Sequence, residues 1–166
     1  MWVGSRGAWM FVVWGSDRSG DEGRAGKPRD EVLTWKKKYN KGIKVDAPAT
    51  DEFLLFLEDR GAKKFDVVTI PPPSFHNYGS YPAELLLSPV IDKMGFNLDI
   101  LWPERYKKKG KVATANIGKE YPPPSIQVKG KFVLVLDDIG TTGCTLAACM
   151  RSIAIAGGYP MAVAYA

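Results

Sequence analysis

The sequence predicts an α/β domain with three layers, in which a parallel sheet is flanked by helices on both faces. Short apolar runs rich in β-branched residues recur along the chain, and helix-like segments separate them. Strands that are apolar on both faces and alternate with helices are typical of a covered parallel sheet. The chain has 166 residues, of which 45% are hydrophobic and 25% charged, and this fits one globular domain with a sizeable core.

The predicted elements follow one another regularly after residue 50. Thr50 is expected to cap the first helix and Gly61 to end it. Pro89 falls inside the second helix, and we expect it to kink or split that helix because proline lacks a backbone N–H. The predicted helices cover residues 51–60, 81–94 and 142–156, and the predicted strands cover residues 65–70, 98–102, 132–136 and 161–165.

The first 45 residues are predicted to form a small antiparallel or hood segment ahead of a core that covers residues 46–166. Two aromatic stretches, residues 8–14 and 31–39, could pair as antiparallel strands. The polar, glycine-rich residues 15–30 between them are expected to form a mobile loop. Three lysines lie between Trp35 and Tyr39, and they form either an exposed strand face or a surface for single-stranded nucleic acid.

Charge and cysteine content narrow the class of protein. A net charge of +5 favours anionic partners, but it does not choose among nucleotides, phosphorylated sugars and nucleic acid. Cys144 and Cys149 are too few for a zinc site and lie too far apart on one helix to form a disulfide. Free thiols are typical of a reducing compartment, so we expect a cytoplasmic protein. No apolar run is long enough to span a bilayer.

Residues 133–146, VLVLDDIGTTGCTL, carry the strongest functional pattern. A buried strand leads into a turn and then a helix, whose first N–H groups and positive dipole end attract anions. Gly140 and Gly143 let the backbone approach a ligand closely, and three threonines add hydroxyl donors. The sequence therefore predicts a phosphate site in this turn.

Two carboxylates beside a phosphate would repel it unless they face another part of the ligand. Asp137 and Asp138 can accept hydrogen bonds from sugar hydroxyls, and a Mg2+ ion can share their charge. A 5-phosphorylated ribose meets both demands. The plainer alternative is that the aspartates only cap the helix. The sequence contains no GxxxxGK motif followed by Ser or Thr, so a P-loop is excluded. A phosphate-transferring aspartate of the haloacid-dehalogenase type would need a second acid two positions later, where the sequence has Ile139.

The same stretch resembles the phosphoribosyl-pyrophosphate (PRPP) loop of type I phosphoribosyltransferases, which implies the fold of that family. The resemblance implies that Asp137 and Asp138 hold the ribose hydroxyls and contact Mg2+ through ribose or water. A proton-transfer role for one of the two acids is also open. The residues that would bind the 5-phosphate are Ile139, Gly140, Thr141, Thr142, Gly143 and Thr145.

A wider similarity runs from about Trp35 to the C-terminus and is closest to the ComF-like branch. FDVVTIPPPS is similar to its first strand and pyrophosphate loop, which gives Pro73, Ser74 and Phe75 as pyrophosphate-binding residues. ILWPERYKKKGK would open a mobile catalytic loop over residues 104–129, with Arg105 and Lys109 as catalytic residues. The remaining basic side chains of this loop's cluster are Lys107, Lys108 and Lys111.

The resemblance implies an enzyme that displaces pyrophosphate from PRPP with a nitrogenous base or amine. It also leaves open a homodimer and a non-catalytic PRPP-binding or DNA-uptake accessory protein, and Asp137 alone suggests a phosphate-ester hydrolase as a third possibility. His76 is expected to be an exposed loop residue. The assignment requires that Asp137 and Asp138 be open to solvent, and that residues 141–145 not run straight into the helix.

Overall fold

A five-stranded sheet organises the chain. The computed structural model describes residues 2–3, 10–13, 27–44, 51–59, 61, 64–73, 76–103, 121–140 and 143–165. The sheet order is β1-β2-β5-β4-β3, and all neighbouring strands are parallel except β1, which is antiparallel to β2. The strands are β1 (Trp2–Val3), β2 (Met10–Val13), β3 (Val67–Thr69), β4 (Phe132–Asp137) and β5 (Tyr159–Ala164).

Helices cover both faces of this sheet, which confirms the predicted α/β class. Alternate residues of β4 point to opposite faces: Leu134 and Leu136 lie in one buried cluster, whereas Val133 and Val135 lie in another. The first cluster contains residues of α1, α2 and α3, and the second contains residues of α4. These helices are α1 (Lys27–Asn40), α2 (Asp51–Asp59), α3 (Pro82–Lys93) and α4 (Cys144–Ile155).

The N-terminal segment differs from its prediction. Residues 31–39 belong to α1, so the proposed strand is wrong, as is the loop assignment of residues 27–30. Val32 and Trp35 are buried three positions apart, which is the spacing of one helical face rather than of a strand. β2 pairs with β1 and β5 instead. Residues 15–26 lie outside the described residues, as do residues 45–50, where the domain boundary stays a prediction.

The second predicted strand is also wrong. In residues 98–102 the structure has a single parallel bridge, between Leu98 and Val68, and no continuous strand. Asp99 is still bound to β3, since its N–H donates to Val68 O and its backbone oxygen accepts from the Thr69 hydroxyl. The partners change after Asp99, where Ser125 donates hydrogen bonds from its N–H to Leu101 O and from its hydroxyl to Ile100 O. The segment 121–126 thus provides, through Ser125, hydrogen-bond donors that Ile100 and Leu101 would otherwise have found in a neighbouring strand.

α3 runs unbroken through Pro89, so this proline does not split the helix. Pro89 is exposed, and the backbone hydrogen bond that it removes therefore lies away from the core. The other predicted elements are confirmed, with ends that shift by at most two residues. No helix in the described part of the chain combines the length and apolar character needed to cross a bilayer.

The turn between α4 and β5 depends on close packing at Gly158. A Cβ atom there would lie 2.8 Å from Ile153 Cγ2 and 3.0 Å from the backbone oxygen of Val128. We expect Gly158→Ala to destabilise the protein by about 1–3 kcal/mol, because the backbone oxygen cannot move aside easily. Urea denaturation measures this. Gly95→Ala is the control: its Cβ meets nothing within 4 Å, so only the left-handed backbone, at about 1 kcal/mol, opposes it.

Candidate functional site

The two aspartates lie where the sequence predicts them, at the carboxyl end of β4. Asp137 is the last residue of β4 and is in register with Ala164 of β5. Its backbone oxygen accepts a hydrogen bond of 2.9 Å from Tyr165 N–H, and Asp138 follows directly. In open parallel sheets this edge is where ligands bind. We call Asp137 and Asp138 the acid pair.

The acid pair is buried, and the expectation that it is open to solvent is wrong. Asp137 is 7% exposed and Asp138 is 4% exposed. The Asp138 N–H donates a hydrogen bond of 2.9 Å to Asp137 Oδ1, so the two residues are tied to each other. A buried carboxylate needs a counterion or hydrogen-bond donors, and the structure supplies a cation from another element.

That cation is Lys36 of α1. Its Nζ lies 2.5 Å from Asp138 Oδ2, and the side chains of Lys36 and Asp138 are 25% and 6% exposed. The ammonium is close in distance but is not aligned as a hydrogen-bond donor, so Oδ2 has a charge partner without a directed hydrogen bond. Lys36 therefore offsets much of the electrostatic cost of burying Asp138 and leaves one of its oxygens without a donor.

The titration of this region follows from burial. Loss of water and then the neighbouring Asp138 carboxylate raise the pKa of Asp137 well above its usual value of 3.8, against the opposing effects of the Asp138 N–H and of Lys36. Burial, and after it the charges of both aspartates, also raise the pKa of Tyr81. Tyr81 immediately precedes α3, so it joins the surroundings of the acid pair from a third element.

The turn after the acid pair enters α4 through a break in backbone geometry. Gly143 has φ 72° and ψ −3°, a left-handed conformation that interrupts any straight continuation into the helix. α4 begins at Cys144, so Thr145 lies in its first turn, while Ile139 and Gly140 are half-buried on the approach. The predicted phosphate-binding residues Thr141 and Thr142 lie outside the described residues.

The N-cap residue of α4 is Gly143, which has no side chain that could cap the helix, and the described contacts of the acid pair lie elsewhere. Asp137 accepts its hydrogen bond from Asp138, and Asp138 lies beside Lys36. Neither aspartate therefore caps the start of α4. The positive dipole end of α4 remains suited to an anion.

The remaining predicted site residues divide between described and undescribed positions. Pro73 is buried at the end of the loop after β3, at the same sheet edge as the acid pair. Ser74 and Phe75 lie outside the described residues, and so do residues 104–120 of the predicted catalytic loop, which include Arg105 and Lys109. Residues 121–129 of that loop are described, and Ser125 and Pro122 make hydrogen bonds to Leu101, Trp102 and Ser152. His76 is half-buried rather than exposed, and its ring centroid lies 6.4 Å from that of Tyr39.

Sequence reasoning missed the role of α1. Tyr39 Oη donates a hydrogen bond of 2.8 Å to Ser80 O, which ties α1 to the segment before α3. Trp35 is buried and stacks on Tyr39, with ring centroids 5.7 Å apart, so Trp35 is not presented for stacking on a nucleic acid. The helical spacing of Val32, Trp35 and Tyr39 was the available signal.

The acid pair suits a Mg2+ ion only in part. Its oxygens are the hard donors that Mg2+ prefers, and Asp138 Oδ2 has no directed hydrogen bond. Within the described ranges there is no group of three or more side chains that could ligate a metal. The donor set therefore fits an ion that brings most of its ligands as water or substrate oxygens, provided that Lys36 moves away.

Comparison with known proteins identified no relative: no family model, no curated protein and no solved structure matches the chain. The functional argument therefore depends on the residues and geometry described above.

We expect the titration of Asp137 to lower the free energy of unfolding as the pH rises. Its pKa is raised in the folded state, so the unfolded chain loses this proton at a lower pH than the folded chain does. Between the two pKa values the unfolded state binds fewer protons, and the free energy of unfolding falls as the pH increases. Asp137→Asn removes this effect and can still accept the Asp138 N–H.

The measurement is a series of urea denaturation curves between pH 4 and pH 7. The stability of Asp137→Asn relative to the wild type should increase with pH until the pH exceeds the pKa of Asp137 in the folded state. Asp92→Asn makes the same change at an exposed side chain of α3 and serves as the control. A constant difference between Asp137→Asn and the wild type would contradict the raised pKa of Asp137.

Proposed function

We propose that the chain is a phosphoribosyltransferase that binds PRPP with Mg2+ and transfers its phosphoribosyl group to a nitrogenous base or amine. One observation carries the proposal: the adjacent carboxylates Asp137 and Asp138 lie at the carboxyl end of β4, before a glycine turn and the N-terminus of α4. This arrangement supports simultaneous recognition of sugar hydroxyls and of the phosphate on the same sugar. The type I phosphoribosyltransferase fold is part of the same proposal.

In this reaction the chain would position and stabilise rather than form a covalent intermediate. The C1–O bond to pyrophosphate breaks, the electron pair leaves with pyrophosphate, and a C1–N bond forms to the acceptor, which then loses its N–H proton. Asp137 and Asp138 would orient the ribose by accepting hydrogen bonds from its hydroxyls, and one of them would take up the released proton. The N–H groups at the start of α4 would hold the 5-phosphate. Bound Mg2+ would reduce the negative charge on the leaving pyrophosphate.

The burial of Asp137 and Asp138 fails the requirement that the acid pair be open to solvent. The proposal therefore applies only to a state in which Lys36 and α1 have moved away and expose both carboxylates. Lys36 belongs to α1 and not to the unit formed by β4, the following turn and α4. The proposed ligand-binding unit can therefore keep its geometry when α1 moves. The Lys36–Asp138 contact also favours a second candidate, a protein that binds PRPP without turnover, because Lys36 already balances the charge of Asp138. A homodimer, a nucleic-acid partner and a cytoplasmic location stay predictions.

A phosphate-ester hydrolase fits less well. An aspartate nucleophile has to be ionised and accessible to the phosphorus atom. Burial raises the pKa of Asp137, and one of its oxygens already accepts the Asp138 N–H. Both features oppose nucleophilic attack by this carboxylate.

The deciding measurement is calorimetry with PRPP and Mg2+, followed by an assay of pyrophosphate release with a panel of bases and amines. We expect the wild type to bind PRPP, and we expect Asp137→Asn/Asp138→Asn to bind about tenfold or more weakly, since hydrogen bonds to charged groups are lost.

The control variant Asp59→Asn/Asp92→Asn removes two charges from exposed helix positions and should bind like the wild type. Binding that depends on the acid pair without pyrophosphate release would identify the non-catalytic candidate. Absence of PRPP binding to the wild type would refute both.

A further inference from the structure

Lys36 and Asp138 form a contact between two elements that are far apart in the sequence. The ammonium lies 2.5 Å from Asp138 Oδ2 at the carboxyl end of β4. The neighbouring residues Lys37 and Lys38 are exposed, so only Lys36 of this basic run turns toward the acid pair. The run is thus divided between one inward-facing cation and an outer charged surface.

α1 is fixed at several points, and these determine where Lys36 reaches. Val32 and Trp35 anchor the helix in the buried cluster that also contains residues of α2 and α3. Tyr39 holds the next turn through its hydrogen bond to Ser80 O. Lys36 lies between these contacts, so the helix holds its ammonium against the acid pair.

A sugar ligand and Lys36 would compete for the same oxygen. Asp138 Oδ2 has the ammonium nearby but no directed hydrogen bond, and ribose hydroxyls or a hydrated Mg2+ could contact it only after the ammonium withdraws. The buried carboxylate cannot lose its counterion without a replacement, because an uncompensated charge in the interior is strongly unfavourable. Displacement and ligand entry therefore have to occur together.

We propose that Lys36 is an internal counterion that the ligand must displace from Asp138, so that α1 acts as a charge-locked cover over the acid pair. The identity of the ligand rests on the proposed function, whereas the lock rests on the Lys36–Asp138 contact alone. A ligand that offers both hydroxyl donors and a divalent cation replaces the ammonium. Inorganic phosphate, which brings no divalent cation, does not open the cover.

Hydrogen–deuterium exchange tests the lock without any ligand. Lys36→Gln should increase exchange in α1 by about tenfold or more relative to the wild type, because the charge that secures the helix is gone. Exchange in β4 and β5 should not change, which separates opening of α1 from global unfolding. Lys37→Gln makes the same change on the exposed face of α1 and should leave exchange unaltered.

A double variant distinguishes a charge lock from simple loss of packing. In Lys36→Gln/Asp138→Asn both charges are absent, and the two amides can hydrogen-bond to each other. Protection of α1 should return toward the wild-type value, so that the effects of the two changes are not additive. Additive loss of protection would overturn the lock.

Calorimetry with PRPP and Mg2+ provides the second readout. Lys36→Gln should bind about tenfold more tightly than the wild type and Lys37→Gln, since the ligand no longer has to displace a cation. Weaker binding by Lys36→Gln would mean that Lys36 grips the ligand, which overturns the lock. If no variant binds PRPP, the proposed function is wrong, and the exchange experiment alone decides whether α1 is locked.

Discussion

The arrangement depends on the burial of two adjacent carboxylates at the end of one strand. Two acids with little access to water cannot both remain ionised unless donors or cations approach them. The structure meets this demand unequally. Asp137 receives the backbone N–H of its neighbour and has a raised pKa, whereas Asp138 has the ammonium of Lys36 beside it. The contacts that fix α1 therefore also place the counterion of Asp138.

The sheet explains why the acids can be held so firmly. β4 is paired on both sides, by β3 and β5, and its side chains enter buried clusters on both faces. A strand constrained in this way fixes the residue that follows it, and the backbone bond from Tyr165 extends the constraint to Asp137. Gly143 then turns the chain into α4. Rigid carboxylates and the positive dipole end of a helix thus lie within a few residues of each other.

Local patterns in the sequence predicted the parts that local patterns determine. β4, α4 and β5 have strong apolar periodicity and clear glycine stops, and the position of the acid pair followed from them. α1 was missed because most of its residues are polar, and its buried face comprises little more than Val32 and Trp35. The sequence predicted a strand where the structure has only a bridge at Leu98. The backbone oxygens of Ile100 and Leu101 bond instead to Ser125, which lies well beyond them in the chain.

Burial of the acid pair could not be read from the motif for the same reason, since its cover comes from the other end of the chain. Yet this burial bears on why the acids are present at all. A buried ion pair can often be replaced by apolar side chains with no loss of stability, so folding alone does not require two carboxylates here. Helix capping does not account for them either, because Asp137 accepts the Asp138 N–H and Asp138 lies beside Lys36. What they retain is a preorganised set of oxygens close to the start of α4, and such a set favours a polar ligand over water once the covering helix withdraws.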